Sequence, residues 1–548
     1  MVNKILQSGG SFLMRTQKTI LSAAFVIAFT YGLAAILSLV RSRLLAGFFG
    51  TDVELAIFYT ADKIPSFIYS LLVVGTISTV FIPVFTNIRK QDPVQAWKTA
   101  SSMINISILV FGFLGILVYL LAPTLINALS LGKFTSDQVM LGANLMRIMI
   151  GAQLLLILSS FITSLLQSFK YFILPALAPI LYNLGMIGGV MFLTPKYGIY
   201  GPAYGVVIGA VLHLGIQIPL ARKINFDYKL LLNFKDRGIK EIFSLMPSRI
   251  FGSALVQVST IINNSLAILV STSSVVIFRF ADQLQSFPVN LFGASIALAA
   301  LPTLSFEADE VDRVNFKKTF LTSFHQMMFL VIPASVILLI LRVPLVRLVF
   351  GAANFPWEAT VKTSYTLAFF SISVLAQSSV YLLTRAFFAL KDTATPVKVN
   401  VFNMLFSTGL SLFLVRYLGL GIWAVAFSFS MAAWVDMLLL LVLLGRKIGG
   451  WEWKALIKPF TKISYSAIFM AIVLYVPLKF LDRLVFDTTR TLPLVILTAM
   501  VTLAGIASYL FFTWLFKVEE IELLYKLAKR LNLSRQPVVE SVPEAIQG

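Results

Sequence analysis

The sequence predicts an all-α polytopic membrane protein of about 14 transmembrane helices: two pseudo-symmetric six-helix bundles followed by two C-terminal helices. Three observations predict it. Only 12% of the 548 residues are charged, about half the share in soluble domains. Apolar runs long enough to cross a bilayer recur from one end of the chain to the other. A motif in the second run returns in the eighth, 220 residues later. With 58% hydrophobic residues and mean hydropathy +0.89, the chain has too little polar surface to be a soluble multidomain enzyme. It has no Cys, which excludes disulfides, thiolate metal sites and cysteine nucleophiles. Its two histidines, His213 and His325, are too few for a His-rich metal centre. The net charge of +20 is expected to serve orientation and anionic lipid rather than nucleic acid.

The apolar runs lie near 20–40, 57–86, 103–129, 139–166, 172–193, 199–220, 242–270, 273–303, 320–341, 361–388, 398–415, 421–444, 459–480 and 491–516. In lipid every backbone polar group must bond internally, so runs of this length are helices. The first has no small-residue cleavage site after it and reads as a retained span. The expected organisation is an N-terminal cytoplasmic segment 1–19, an N-lobe 20–220 (helices 1–6) and a basic cytoplasmic linker 221–241. A C-lobe 242–444 (helices 7–12) follows, then helices 13–14 in 445–516. The cytoplasmic tail 517–548 opens as an amphipathic helix, with Leu523, Leu524, Leu527 and Leu531 on one stripe. With a cytoplasmic N-terminus, the loops on that side carry about 29 Lys/Arg against about 10 opposite, which places both termini in the cytoplasm.

The repeat is specific in its spacing. Phe58-x-x-Ala61-Asp62-x-x-x-Ser66-Phe67 returns as Phe278-x-x-Ala281-Asp282-x-x-x-Ser286-Phe287. Pro175 and Pro396 open the fifth and eleventh runs. Gly198-Ile199-Tyr200-Gly201 and Gly419-Leu420-Gly421-Ile422 open the sixth and twelfth. Six spans return the chain to its starting side, so the halves form a parallel repeat.

A charge at mid-bilayer costs about 2.5 kcal/mol or more, so each charged residue in a span needs a partner, a wet cavity or an escape to the interface. Arg41, Arg43, Asp62, Lys63, Arg147, Arg249, Arg279 and Asp282 are such residues. Each also has a structural reading. Arg41 and Arg43 fit the outer end of their span, Arg43 the more so, Arg147 and Arg249 fit span ends, and Asp62 with Lys63 fits an interhelical pair. Arg279 and Asp282 lie on one face and can neutralise each other. Taken together, a surplus of arginine suits phosphate, because guanidinium offers a bidentate fork. The candidate substrate-binding residues are Arg41, Arg279, Asp282, Arg43, Lys63, Asp62 and Arg249. Asn403 and Asp436 are candidate ligands for a coupling monovalent cation, with membrane potential as the other drive; no cofactor is expected. Tyr119, Trp357, Trp451 and Trp453 read as interfacial anchors, Met146, Met149, Met327 and Met328 as filling, and both histidines as structural. Gly75, Gly293, Pro288 and Pro302 are expected to let helices bend. Asp52-x-Glu54 in the first outer loop supports a competing reading, a polyprenyl-phosphate-sugar glycosyltransferase.

The chain resembles the MurJ/MviN lipid II flippase family of the multidrug, oligosaccharidyl-lipid and polysaccharide exporter superfamily. Three stretches carry the resemblance. The first runs from Phe280-Ala281-Asp282-Gln283-Leu284 through Ser286-Phe287-Pro288 to Phe292-Gly293 and Leu301-Pro302-Thr303-Leu304-Ser305. The second is Arg385 to Pro396. The third is Leu37 to Gly50, with Lys63-Ile64-Pro65 and Phe81-Ile82-Pro83. The resemblance implies alternating-access transport of undecaprenyl-diphosphate-linked glycopeptide across the bacterial inner membrane, with the lipid tail along helices 13 and 14; a monomer is expected. Arg41 and Asp282 match the family's functional positions. Ser42, Tyr69-Ser70, Val74 and Gln283 stand where the family has charges, and Arg279 is expected to replace a lost cation. An exporter of another polyprenyl-linked glycan, of O-antigen type, is the alternative within this class.

Overall fold

A computed structural model describes residues 20–73, 80–224, 226, 228–309, 313–484 and 490–521. Among them every regular element is helical. Among the described residues thirteen helices are long and apolar enough to span a membrane. Of the expected second span, Val53–Ala61, Lys63–Leu72 and Ile82–Gln91 are helical, and 74–79 lie outside the described residues. Most of the amphipathic tail, with Leu523, Leu524, Leu527 and Leu531, lies outside the described residues, as does Gly75.

The duplication is drawn in the helix boundaries. Helices beginning at Val53, Pro93, Ser136 and Ile173 correspond, 221 residues on, to helices beginning at Ser274, Val314, Trp357 and Ala394. The joints correspond as well. After Ser168 and after Ala389 the chain turns through a lysine in the left-handed region, Lys170 at φ +64° and Lys391 at φ +59°. The next N–H bonds back to the fifth residue before it, Tyr171 to Leu166 and Asp392 to Phe387, both at 3.0 Å. That is the Schellman closure of a helix C-terminus, which satisfies carbonyls that would otherwise be orphaned. Gly198 and Gly419 also take positive φ, +54° and +63°, where the next helix of each half ends.

Two compact units result. One gathers Met1–Asp282, Val346–Thr366 and Asn400–Phe429, and the other Gln283–Leu345, Leu367–Val399 and Ser430–Gly548. In the first, helices Ile173–Gly188 and Tyr200–Gly215 approach backbone to backbone. A Cβ on Gly185 would stand 2.5 Å from the Gly209 backbone. Small residues at four-residue spacing permit this approach, and van der Waals contact holds it where no hydrophobic drive exists in lipid.

The second unit is centred on Phe316, Phe320, Met327, Met328 and Phe387, all buried. Its last two spans, Trp453–Leu484 and Thr491–Leu515, pack on each other. The Tyr509 hydroxyl donates to the Phe329 carbonyl at 2.7 Å. Trp451 departs from its expected place as an interfacial anchor. It is 9% exposed, packs on Phe320 at 5.0 Å and donates its indole N–H to the Leu441 carbonyl at 2.8 Å. Gly445 leaves the room that the ring fills. Tyr119, Trp357 and Trp453 are exposed and fit anchors, and the four methionines are core filling. Pro288 ends helix Ser274–Pro288 and a π-helical stretch, Val289–Ala294, follows it. Within that stretch Gly293 lies against Ser378.

Candidate functional site

Four helical elements of the first unit bring charge together. Helix Ile20–Phe49 carries Arg41, and the broken pair Val53–Ala61 and Lys63–Leu72 carries Tyr59, Asp62 and Lys63. Helix Ile173–Gly188 carries Tyr182 and Asn183, and helix Ser274–Pro288 carries Arg279 and Asp282. The break at Asp62 has a local cause: Pro65 has no N–H to give the Ala61 carbonyl one turn earlier. The chain therefore kinks where its two charged residues stand.

Arg41 is fixed by three contacts. It donates to Asn183 Oδ1 at 3.0 Å, to Ser38 Oγ at 3.1 Å and to Met186 Sδ at 3.2 Å. Asn183 is itself set by its helix, since its Nδ2 donates to the Pro179 carbonyl at 2.9 Å. That orientation leaves Oδ1 to accept from the guanidinium. Asp62 Oδ2 accepts from Ser66 Oγ at 2.9 Å. The Arg279 guanidinium lies 5.9 Å from the centre of the Tyr59 ring, at the range of a cation–π contact. Phe280, beside it, stacks on Phe350 at 4.2 Å and anchors this helix.

These groups form one electrostatic neighbourhood. Arg41 feels Tyr182, Tyr59, Arg279 and Asp62, and Lys63 feels Arg279, Asp62 and Asp282. Three cations face two carboxylates, a formal surplus of one positive charge. Arg41, Tyr59, Asp62, Lys63, Tyr182 and Asp282 are half-buried and Arg279 is exposed. The polar surface is therefore not packed shut.

The remaining sequence candidates lie elsewhere. Arg43 Nη1 donates to the carbonyl of Leu348, near the C-terminal end of helix Arg342–Phe350, where a cation is favoured. The Arg249 side chain lies outside the described residues. Arg147 clamps Tyr119, donating to its carbonyl at 3.1 Å and covering its ring at 5.0 Å. Asn403 is half-buried in helix Ala394–Leu412 and Asp436 is buried in helix Trp423–Lys447. Among the described residues no three His, Asp or Glu side chains converge as metal ligands. His213 Nδ1 is 2.6 Å from Ser159 Oγ, which also accepts from Gln217. His325 meets a carboxylate that helical spacing did not reveal, Glu520 at 3.6 Å. Asp52 and Glu54 are exposed at the start of helix Val53–Ala61.

Sequence reasoning missed Asn183, Ser38, Tyr59 and Tyr182. A polar amide one turn after Pro179 in an apolar run was the available signal for Asn183. The tyrosines carried none, because aromatic residues are ordinary in spans.

Three comparisons bear on identity. Residues 45–516 match the family described as "Lipid II flippase MurJ". A probable lipid II flippase MurJ of Bdellovibrio bacteriovorus is 27% identical over 506 residues, covering 91% of this chain and 95% of that protein. One from Buchnera aphidicola is 28% identical over 425 residues, covering 74% and 80%. The solved structure of a lipid II flippase MurJ in an inward closed conformation aligns with TM-score 0.76 and 25% identity, over 91% of this chain and all of that one. An inward-facing multidrug resistance MATE family transporter aligns at TM-score 0.62 with 14% identity over 77% of this chain and 94% of that one, a likeness of fold alone.

Proposed function

The chain belongs to the lipid II flippase MurJ family, and on that premise we propose that it carries lipid-linked peptidoglycan precursor from the cytoplasmic to the outer leaflet by alternating access. The family is one of integral inner-membrane transporters, which sets aside the glycosyltransferase reading of Asp52 and Glu54. A diphosphate bearing sugars and a peptide cannot enter hydrocarbon unaided, because stripping water from its charges is prohibitive. The protein must offer replacement partners inside the membrane.

The observation that supports this reading is the cluster of Arg41, Lys63 and Arg279 around Asp62 and Asp282, three cations to two acids on an unsealed surface. Arg41 is pre-oriented by Asn183 and Ser38, so little rotamer freedom remains to be lost when an anion arrives. Arg279 rests over an aromatic face rather than in a tight ion pair, which leaves its planar fork available to phosphate. Asp62 and Asp282 hold the cations close together against mutual repulsion and keep the empty cluster near neutrality. Membrane potential, or a monovalent cation at Asn403 or Asp436, would drive the return step.

The test is depletion of the protein in its own bacterium with complementation by Arg41→Ala or Arg279→Ala. Lipid-linked disaccharide-peptide is expected to accumulate on the inner leaflet, and neither variant is expected to relieve it. Full relief by both variants overturns the cation cluster as the headgroup site. Accumulation of a different polyprenyl-linked glycan overturns the cargo.

A further inference from the structure

The basic segment between helix Ile218–Lys223 and helix Arg237–Val270 is not a free tether. Its backbone is fastened along helix Pro93–Leu129. Asn105 Nδ2 donates to the carbonyls of Lys229 at 3.0 Å and Leu231 at 2.9 Å. The Tyr228 hydroxyl donates to Asn105 Oδ1 at 2.6 Å, and the Lys229 N–H donates to Ser101 Oγ at 3.1 Å. The buried Asp236 closes the far end. It accepts from Thr99 Oγ1 at 2.9 Å and from Gln95 Nε2, and it caps Ile239 N at 3.0 Å. A helix has spent its polar side chains on holding this segment in one place.

Two turns shape the pinned segment: the Leu231 N–H donates to the Lys229 carbonyl at 2.8 Å, and the Asp236 N–H donates to the Asn233 carbonyl. Leu230, Leu232 and Phe234 are 91%, 49% and 59% exposed, while Tyr228 keeps its hydroxyl on Asn105 and leaves part of its ring exposed. Arg222, Lys223, Lys229, Lys235, Arg237 and Lys240 flank that row and are all exposed. Residues 221–240 hold only two acids, Asp227 and Asp236, and Asp236 is used up internally. Non-helical backbone cannot face lipid within the hydrocarbon, so the row belongs at headgroup depth. Apolar side chains with cations beside them at that depth are the chemistry of an anionic leaflet surface.

We propose that residues 228–240 form a membrane-interface strap that binds anionic phospholipid. Leu230, Leu232 and Phe234 enter the headgroup–acyl boundary, and Lys229, Lys235, Arg237 and Lys240, with Arg222 and Lys223 beside the strap, hold the phosphates. The strap fixes the entry of helix Arg237–Val270 relative to helix Pro93–Leu129, so lipid charge bears on the first unit directly. This inference is independent of the cargo.

The absence of native cysteine makes the test direct. The full chain carrying Leu230→Cys, labelled with a fluorophore, is reconstituted in phosphatidylcholine vesicles with or without phosphatidylglycerol. Quenching by headgroup-attached nitroxide lipid is compared with quenching by aqueous iodide. The strap predicts strong lipid quenching and iodide protection that deepen with phosphatidylglycerol. Each of Lys229→Gln, Lys235→Gln and Arg237→Gln should weaken the preference for phosphatidylglycerol by about fivefold. Asn105→Leu should raise iodide access by freeing the strap. Equal iodide quenching in both lipids overturns the proposal, and so does lipid quenching indifferent to headgroup charge. Protection that appears only at high protein-to-lipid ratio assigns the surface to a second copy and overturns it too.

Discussion

Residues 53–72 and 274–288 descend from one pattern, yet they place their charges in opposite order. In the first copy the cation follows the acid, Asp62 then Lys63, and the residue three before the acid is Tyr59. In the second the cation precedes it, Arg279 then Asp282, and the residue after the acid is Gln283. Tyr59 and Arg279 are the same position of the repeat, and the guanidinium of one lies over the ring of the other. The backbone differs in the same place. Pro65 breaks the first copy at Asp62, whereas Gln285 holds that register in the second and the helix runs unbroken from Ser274 to Pro288. The difference teaches that a duplicated helix pair can specialise by trading one cation and one proline. One copy supplies a kink, the other a straight support for a reaching arginine.

The largest effect should come from the shared position. Arg279→Tyr removes the cation that projects into the cluster, and transport is expected to fall at least tenfold, the scale of one charge-assisted contact. Adding Tyr59→Arg to that variant returns a guanidinium to the facing position, so the double variant should recover several-fold over the single one in a cell-based flipping assay. No recovery would mean that the two positions are not interchangeable and that the order of charge has its own role.

Asn183→Leu asks whether Arg41 must be held. The variant keeps all five charges of the cluster but strips the Arg41 guanidinium of one acceptor. Transport should drop several-fold, with a rise in the substrate concentration needed for half-maximal rate. Asn183→Gln should restore part of it. Pro65→Ala makes the first copy resemble the second by restoring a donor for the Ala61 carbonyl. Thermal stability in detergent should hold or rise while transport falls about twofold to threefold, because the helix interior gains a bond and loses its kink.

The spans were legible because lipid imposes a length and a composition, and both are written locally. The repeat was legible because its glycines and prolines mark joints that backbone geometry demands; Gly198 and Gly419 occupy a φ that other residues avoid. Asp62 and Asp282 were found because a buried charge is conspicuous in an apolar run. What escaped was what long-range packing decides. Nothing near Arg43 announces Leu348, 305 residues away, and nothing near Trp451 announces Phe320. The break at Asp62 escaped because a hydropathy window reads through Pro65 as though the chain were continuous.

The joints between the fourth and fifth helices of each half give the smallest and cleanest test of the same comparison. Both close with a lysine at positive φ, but only the second carries a carboxylate in the next position, Asp392 where the first has Tyr171. Asp392 Oδ1 accepts from the N–H groups of Ala394 and Thr395, and Oδ2 accepts from Thr395 Oγ1 at 2.7 Å and from Lys447 Nζ at 2.7 Å. Helix Ile173–Gly188 begins at Phe172 with no side-chain cap. Burial alone would raise the Asp392 carboxyl, but the Lys447 and Thr395 hydrogen bonds outweigh it and hold it at about 2. A carboxyl depressed in the fold contributes stability above its unfolded value of about 3.9, and that contribution drains away as pH falls from there toward 2. Asp392→Asn keeps the capping oxygen and loses the charge. The gap in unfolding temperature between the parent and Asp392→Asn should therefore be widest near neutral pH and close under acid. Tyr171→Phe, at the matching joint, should leave the acid limb of the parent unchanged. A gap that persists undiminished below about pH 3 would assign the effect of Asp392 to its shape rather than its ionisation.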